Sequence, residues 1–413
     1  MRFPRMYKIS QKFDATCIED IEGSVRREIL SKIPALKKGA RVAIATGSRG
    51  IANIDRIVKT TVDTLIELDC APFIVPAMGS HGGATAEGQK ATIEAYGITE
   101  KRMGVPIFSS MEVVELPQGD CVNKVYMDKY AYEADATIVV NRIKVHTDFH
   151  STTESGLIKM CVIGLGKHEQ ALAIHRYGVY GLMELIRPTA RQIFKHGNVI
   201  LGVGVVENAY DETAIIKALL PEEFEREEMK LLDICRKTMP KLPVEKIDIL
   251  VVDEIGKNVS GTGFDTNVIG RMRIRGIAEP TSPDIKAIVV TDLTEESHGN
   301  GIGVGLADFT TRRLVDKIDF GATYENTMTS TFVQRGHLPT VSETDQEAYV
   351  NALRICGPVE AENVRVMRIR NTLKIAELYV SESLMDEIRQ NATIVVIGDA
   401  VDLFNESGSL NKF

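Results

Sequence analysis

The feature that most constrains this chain is a recurring unit: an apolar β-branched run, a glycine-rich turn, then residues with helical period. VAIAT (42–46) reads as a strand and GSRG (47–50) as its turn. NIDRIVKTTVDTLIELD, from Asn53, then sets Ile54, Ile57, Val58, Val62, Leu65 and Ile66 on one helical stripe. The unit returns as PFIVP (72–76), MGSHGGAT and AEGQKATIEAYG, and a third run, ATIVV (136–140), opens into the loop NRIKVHTDFHSTTESG. A helix is expected near 180–196, a strand at NVILGVGVV and a charged helix at EEFEREEMKLLDICRK, whose acidic run Glu222 to Glu228 reads as a solvated face. After Pro243 a second series begins, with IDILVV and KAIVVTDL as strands, FTTRRLVDKI, QEAYVNALRI and ESLMDEIRQ as helices, and NVRVMRI and TIVVIG closing it. Strands alternating with helices imply an α/β chain with mostly parallel sheets flanked by helices. Two domains are expected, 1–243 and 244–413, with the active site in the cleft between them and the C-terminal tail free to pack back on the first.

Composition supports that reading and narrows the function. At 413 residues, 44% hydrophobic and 26% charged, the chain has ample material for two cores. Lys+Arg is 49 against Asp+Glu 57, a formal charge of −8, which disfavours a nucleic-acid footprint or an anionic membrane surface. No apolar run approaches the ~20 residues of a bilayer span. No apolar stretch follows the basic residues of MRFPRMYKISQKFD, so a cytoplasmic location is expected. The six cysteines are scattered without CxxC spacing and read as buried reduced thiols.

Ligands of open parallel sheets bind beyond the carboxyl ends of the strands. Three such ends carry Arg49, His81 and the pair His146 and His150. Arg49 is flanked by the glycines of TGSRG, and its fork suits a carboxylate or phosphate. Of eight histidines, five (His81, His146, His150, His168 and His175) fall between residues 81 and 175. Imidazole is the natural proton-transfer group near neutrality and a common metal ligand, so the cluster points to a metal or an acid–base site. Lys159 precedes an apolar stretch that would partly desolvate its ammonium, as a nucleophile or covalent attachment point requires. GNGIGVG (299–305) lacks the G-x-G-x-x-G spacing of a phosphate loop, and the adjacent carboxylates Asp253 and Glu254 make only a sparse cation site.

The constellation TGSRG with Arg49, MGSHGG with His81, His150 followed by Lys159, and Glu169 followed by His175 resembles the nickel-dependent lactate racemase family, whose members invert 2-hydroxy acids. The resemblance implies a racemase or epimerase that uses a nickel-pincer nucleotide. That cofactor is a pyridinium-3,5-bisthiocarboxylic acid mononucleotide, covalently bound to Lys159, with His175 completing the nickel coordination. It implies His81 and His150 as acid and base, and Arg49 holding cofactor and substrate. It also implies cofactor-biosynthesis and insertion proteins as partners and a small-molecule 2-hydroxy acid as substrate. Departures are visible. His150 stands one residue nearer Lys159 than the family pattern, so His146 competes for its role. In the second half, Tyr324-Glu325 stands where the family has Tyr-Gln, with Met328 in place of a lysine, and His298 lies in a polar loop at a strand end. Tyr324, Glu325 and His298 are the expected substrate contacts, and larger polyhydroxylated or dicarboxylic acids fit such a pocket as well as lactate. Two other readings stay open: a zinc metallohydrolase using His81, His150 and His175, and a non-catalytic nucleotide- or hydroxyacid-binding protein.

Overall fold

The protein is described by a computed structural model covering residues 2–47 and 50–413. The chain divides into two compact units, one formed by residues 14–239 and the other by residues 1–13 together with 240–413. The first strand, β1 (Arg5–Gln11), therefore belongs to the C-terminal unit, which the expected 1–243 domain did not anticipate. Its pairing partners lie more than 360 residues away, so no local pattern announces them.

In the N-terminal unit, β2 (Arg41–Thr46), β3 (Ala71–Pro76), the hairpin strands β4 (Val113–Leu116) and β5 (Val125–Asp128), β6 (Ala136–Arg142), β7 (Val199–Glu207) and β8 (Thr213–Leu219) follow in order. Five of them form a sheet in the order β3-β2-β6-β7-β8. It is parallel from β3 to β7 and antiparallel at β7–β8. Alternate residues of β2 feed opposite faces. Ala43 and Ala45 enter one hydrophobic core, and Val42 and Ile44 enter the other. Burial on both faces explains why the parallel strands read as unbroken apolar runs. The helix Ile54–Glu67 closes one side through Ile57, Val58, Val62 and Leu65, while Ile66 turns outward at 49% exposure. The helix Phe224–Thr238 corrects a second expectation. Phe224, Glu228, Leu231, Leu232 and Cys235 make its buried stripe, so the acidic run is not wholly a solvated face.

The C-terminal unit continues with β9 (Lys246–Ile255), β10 (Asp284–Leu293), β11 (Phe309–Thr311), β12 (Thr340–Ser342), β13 (Val366–Ile369), β14 (Glu377–Ser381), β15 (Ile394–Val396) and β16 (Val401–Asp402). The sheet runs β12-β11-β10-β9-β13-β14-β1-β15, with β16 also on β1. It is parallel from β12 to β13 and antiparallel beyond. Leu250 and Val252 pack on one face, Ile249 and Val251 on the other. The tail strands β15 and β16 thus pair within this unit. The fold is mixed α/β, with largely parallel sheets flanked by helices. Among the described residues no helix is long and apolar enough to cross a membrane.

Candidate active site

The carboxyl ends of β3, β2 and β6 are neighbours in the N-terminal sheet, so their loops gather on one short segment, the helical turn Leu157–Lys159 and the π-helical turn Met160–Gly164. After β2, a Cβ on Gly47 would stand 3.2 Å from Asn141 Oδ1 and 3.7 Å from the Met160 methyl. After β3, Gly79 (φ +62°) donates to Gly164 O, and a Cβ there would meet Ile163 at 3.0 Å. Only glycine combines that backbone with that approach. At the end of β6, Asn141 Nδ2 donates to Gly156 O at 2.9 Å. Short π-turns recur at functional sites, and this one directly follows Lys159.

Arg49 lies outside the described residues, but the chain beyond it is held: Ala52 N–H donates to Glu207 at 2.7 Å, and Arg142 pairs with the same carboxylate. His81 is exposed at the tip of the loop after β3, and a buried relay fixes that loop. Gln89 Nε2 donates to Gly79 O at 2.8 Å and to His81 O at 3.3 Å. Gln89 Oε1 accepts from Lys167 Nζ at 3.1 Å, which also donates to Pro76 O. Lys167 in turn stands 3.1 Å from Asp128, both fully buried. Burial drives the Asp128 carboxyl up and the Lys167 ammonium down, each restrained by the other's charge.

Lys159 Nζ lies 2.5 Å from His146 Nε2 and over the Phe149 ring at 5.8 Å, while the His146 and Phe149 rings are 4.5 Å apart. His146 Nδ1 accepts the Asp148 N–H at 3.0 Å, which in the neutral ring leaves the proton on Nε2, facing the amine. His175 ends the helix Lys167–His175. Burial, then the Lys159 charge, lower its pKa to about 4 against a smaller pull from Asp148, so its ring is neutral with a lone pair to offer. The shared electrostatics place Lys159, His146, Asp148 and His175 in one locale.

His150 sits differently. Its side chain is 45% exposed and its Nδ1 is 3.4 Å from the buried Glu154. Glu154 also accepts the His146 N–H at 2.6 Å, the Ser151 N–H at 3.2 Å and Arg236 at 2.6 Å. Burial alone would raise this carboxyl, yet His150, the His146 N–H and Arg236 together hold it below its usual value. Of the two histidines, His146 is the one brought to Lys159. Among the described residues no three His, Cys, Asp or Glu side chains form a metal-holding group, so the zinc set His81, His150 and His175 is not assembled. Glu154, Arg236, Lys167, Gln89 and Glu228 escaped the sequence reading. Only Glu228 carried a signal, its place on the apolar stripe.

The remaining expected residues lie in the C-terminal unit. Tyr324, 47% exposed, packs its ring against Phe320 at a tilt along the helix Phe320–Ser330, and Glu325 is exposed beside it. His298 is exposed and left-handed (φ 47°) after the turn Glu295–Ser297. Glu295 and Glu296 of that turn line a cavity of about 270 Å³ with Glu254, Asp292, Lys317 and Arg370. Asp253 and Glu254 are engaged by Arg368 at 2.7 Å and Arg370 at 3.2 Å as ion pairs.

Compared with solved structures, the chain resembles the lactate racemase apoprotein from Thermoanaerobacterium thermosaccharolyticum, with a TM-score of 0.50 and 14% identity, over 89% of this chain and 99% of that one. At that identity the likeness is one of fold. No curated protein matches in sequence. Residues 47–267, more than half of the chain and containing every N-terminal candidate residue named above, match the family described as domain of unknown function DUF362, and the chain belongs to that family.

Proposed function

We propose that this protein is an isomerase, a racemase or epimerase that inverts C2 of a small 2-hydroxy acid with a nickel-pincer nucleotide tethered to Lys159. The observation that carries the reading is the Lys159–His146 contact beside a neutral His175, in a fold like that of a lactate racemase. An attachment lysine needs its amine free of one proton, and the imidazole N–H that His146 presents 2.5 Å away is a donor that the neutral amine, and not the ammonium, can accept. A nickel ligand must be neutral imidazole, and His175 is neutral above about pH 4. These residues therefore fit the group: Lys159 would hold it and His175 would offer a ring nitrogen to the metal.

When bound, the cofactor supplies a hydride acceptor, which suits a C2–H that is barely acidic beside a carboxylate. The chain's own residues handle the rest. A histidine on each face of the substrate takes the hydroxyl proton of one enantiomer, because each enantiomer needs its own base. His81 is one such group, and between His150 and His146 the geometry favours His146, half-buried against Phe149. Arg49 would steer the substrate carboxylate through its guanidinium fork. Cofactor-making enzymes are the implied partners.

The test is optical. Protein co-expressed with cofactor-making enzymes is incubated with enantiopure 2-hydroxy acids, from lactate to polyhydroxylated and dicarboxylic ones. The wild type should erase the rotation of at least one, Lys159→Ala should erase none, and His146→Ala should lose more turnover than His150→Ala. A loaded wild type inert on the whole panel, or a Lys159→Ala that still turns over, overturns the reading.

A further inference from the structure

Glu228 stands on the buried stripe of the helix Phe224–Thr238, and the mechanism above does not use it. Its Oε2 accepts the backbone N–H of Leu157 at 2.5 Å and of Ile158 at 3.1 Å. Its Oε1 is buried with no hydrogen-bond partner. Gly156 makes room for the carboxyl, since a Cβ there would lie 2.4 Å from the carboxyl carbon. Lys159 is the residue after Ile158. Thus a buried acid grips the two peptide groups immediately preceding the candidate attachment lysine.

We propose that Glu228 is a positioning residue for Lys159: its carboxyl ties down the turn from which Lys159 projects, and its protonation state sets how firmly that turn is held and how fast the amine reacts. The proposal rests on the reading of Lys159 as an attachment point. While Glu228 is ionised, both N–H bonds are charge-assisted, about twice as strong as neutral ones. A proton taken up goes to Oε1, because the Oε2 lone pairs are engaged, and the grip weakens. Burial pushes this carboxyl up to about 7 against the opposing pull of the two N–H groups, so the exchange falls near neutrality. Cys161 on the π-turn feels the Glu228 charge: burial and that charge raise its thiol well above its usual value, so it stays neutral throughout. Phe224, one turn earlier on the same helix, and Leu157, both packed beside Gly202 of β7, carry no charge.

The test reads the amine and not catalysis. The full chain, without cofactor, is labelled with trinitrobenzenesulfonate across the neutral range, and modification of Lys159 is followed by peptide mass spectrometry. The wild type should show a break near pH 7 of about 5-fold beyond the amine's own ionisation. Glu228→Gln keeps an acceptor oxygen but has no proton to titrate, so its profile should lack the break. Superimposable profiles overturn the proposal. Should that variant fail to fold, the Glu228 carboxyl is titrated in the wild type by ¹³C NMR. Its titration must coincide with the break, and a mismatch or a missing break overturns the proposal. If the co-expressed protein carries no adduct on Lys159, the tether reading fails separately, because the labelling needs no cofactor.

Discussion

Replacing Lys167 by Met tests the buried relay under the loop that presents His81. The side chains of Lys167 and Asp128 are both fully buried and 3.1 Å apart, so Lys167→Met leaves Asp128 without its compensating charge. Removing one partner of such a pair costs about 3–5 kcal/mol, much of it the uncompensated charge that remains. Pro76 O and Gln89 Oε1 also lose their donor. Gln89, no longer braced, releases its hold on Gly79 O and His81 O. Adding Asp128→Asn removes the stranded charge while keeping an oxygen for the Ala131 N–H, which Asp128 caps at 2.8 Å. The double variant should therefore be more stable than Lys167→Met alone, with a coupling of about 2 kcal/mol or more. The chain has no tryptophan, so urea unfolding is best followed by far-ultraviolet circular dichroism. Hydrogen exchange then localises the loss, with residues 77–89 losing protection first. A Lys167→Met cost below about 1 kcal/mol, or additive single and double variants, would refute the reasoning.

Other outcomes follow from the same contacts. His175 has a native pKa of about 4 against 6.5 in the unfolded chain, so the unfolded state binds the extra proton between these values. Its contribution to stability is thus lost as pH falls from 6.5 towards 4, and His175→Asn should flatten the stability–pH curve in that window. Gly82→Ala should cost about 1–3 kcal/mol, because φ is +64° and the new Cβ would lie 2.6 Å from the Gly88 carbonyl carbon; a neutral effect in urea unfolding would contradict the loop geometry. Cys17 is exposed and the other five cysteines are buried, so a thiol reagent should titrate one group in the native protein and six after unfolding.

Much of the N-terminal unit was legible because its parallel strands are buried on both faces and so appear as apolar runs, each closed by glycines. Those runs located three strand ends, and thereby His81, His146, His150 and the turn carrying Lys159. What stayed hidden depends on distance or on single side chains. Strand β1 pairs with residues near 380, and nothing in RMYKISQ announces such a partner. Glu228 reads in the sequence with its acidic neighbours, although Phe224, Leu231, Leu232 and Cys235 put it on the buried face. Lys167 looks like any lysine at a glycine-flanked helix start, and only the packing of Asp128 and Gln89 around it reveals its role. The choice between His146 and His150 turned on a loop conformation that spacing alone does not specify. Arg49 lies outside the described residues, and its role rests on the resemblance and the sequence TGSRG.

The central claim, that Lys159 is a covalent cofactor anchor, is tested most directly by intact-mass and peptide mass spectrometry of the chain co-expressed with cofactor-making enzymes, alongside nickel analysis. The account predicts a single discrete increment on the peptide containing Lys159, with stoichiometric nickel, absent from Lys159→Ala. An unmodified Lys159 in protein that nonetheless racemises a hydroxy acid, or an adduct that persists in Lys159→Ala, would contradict it.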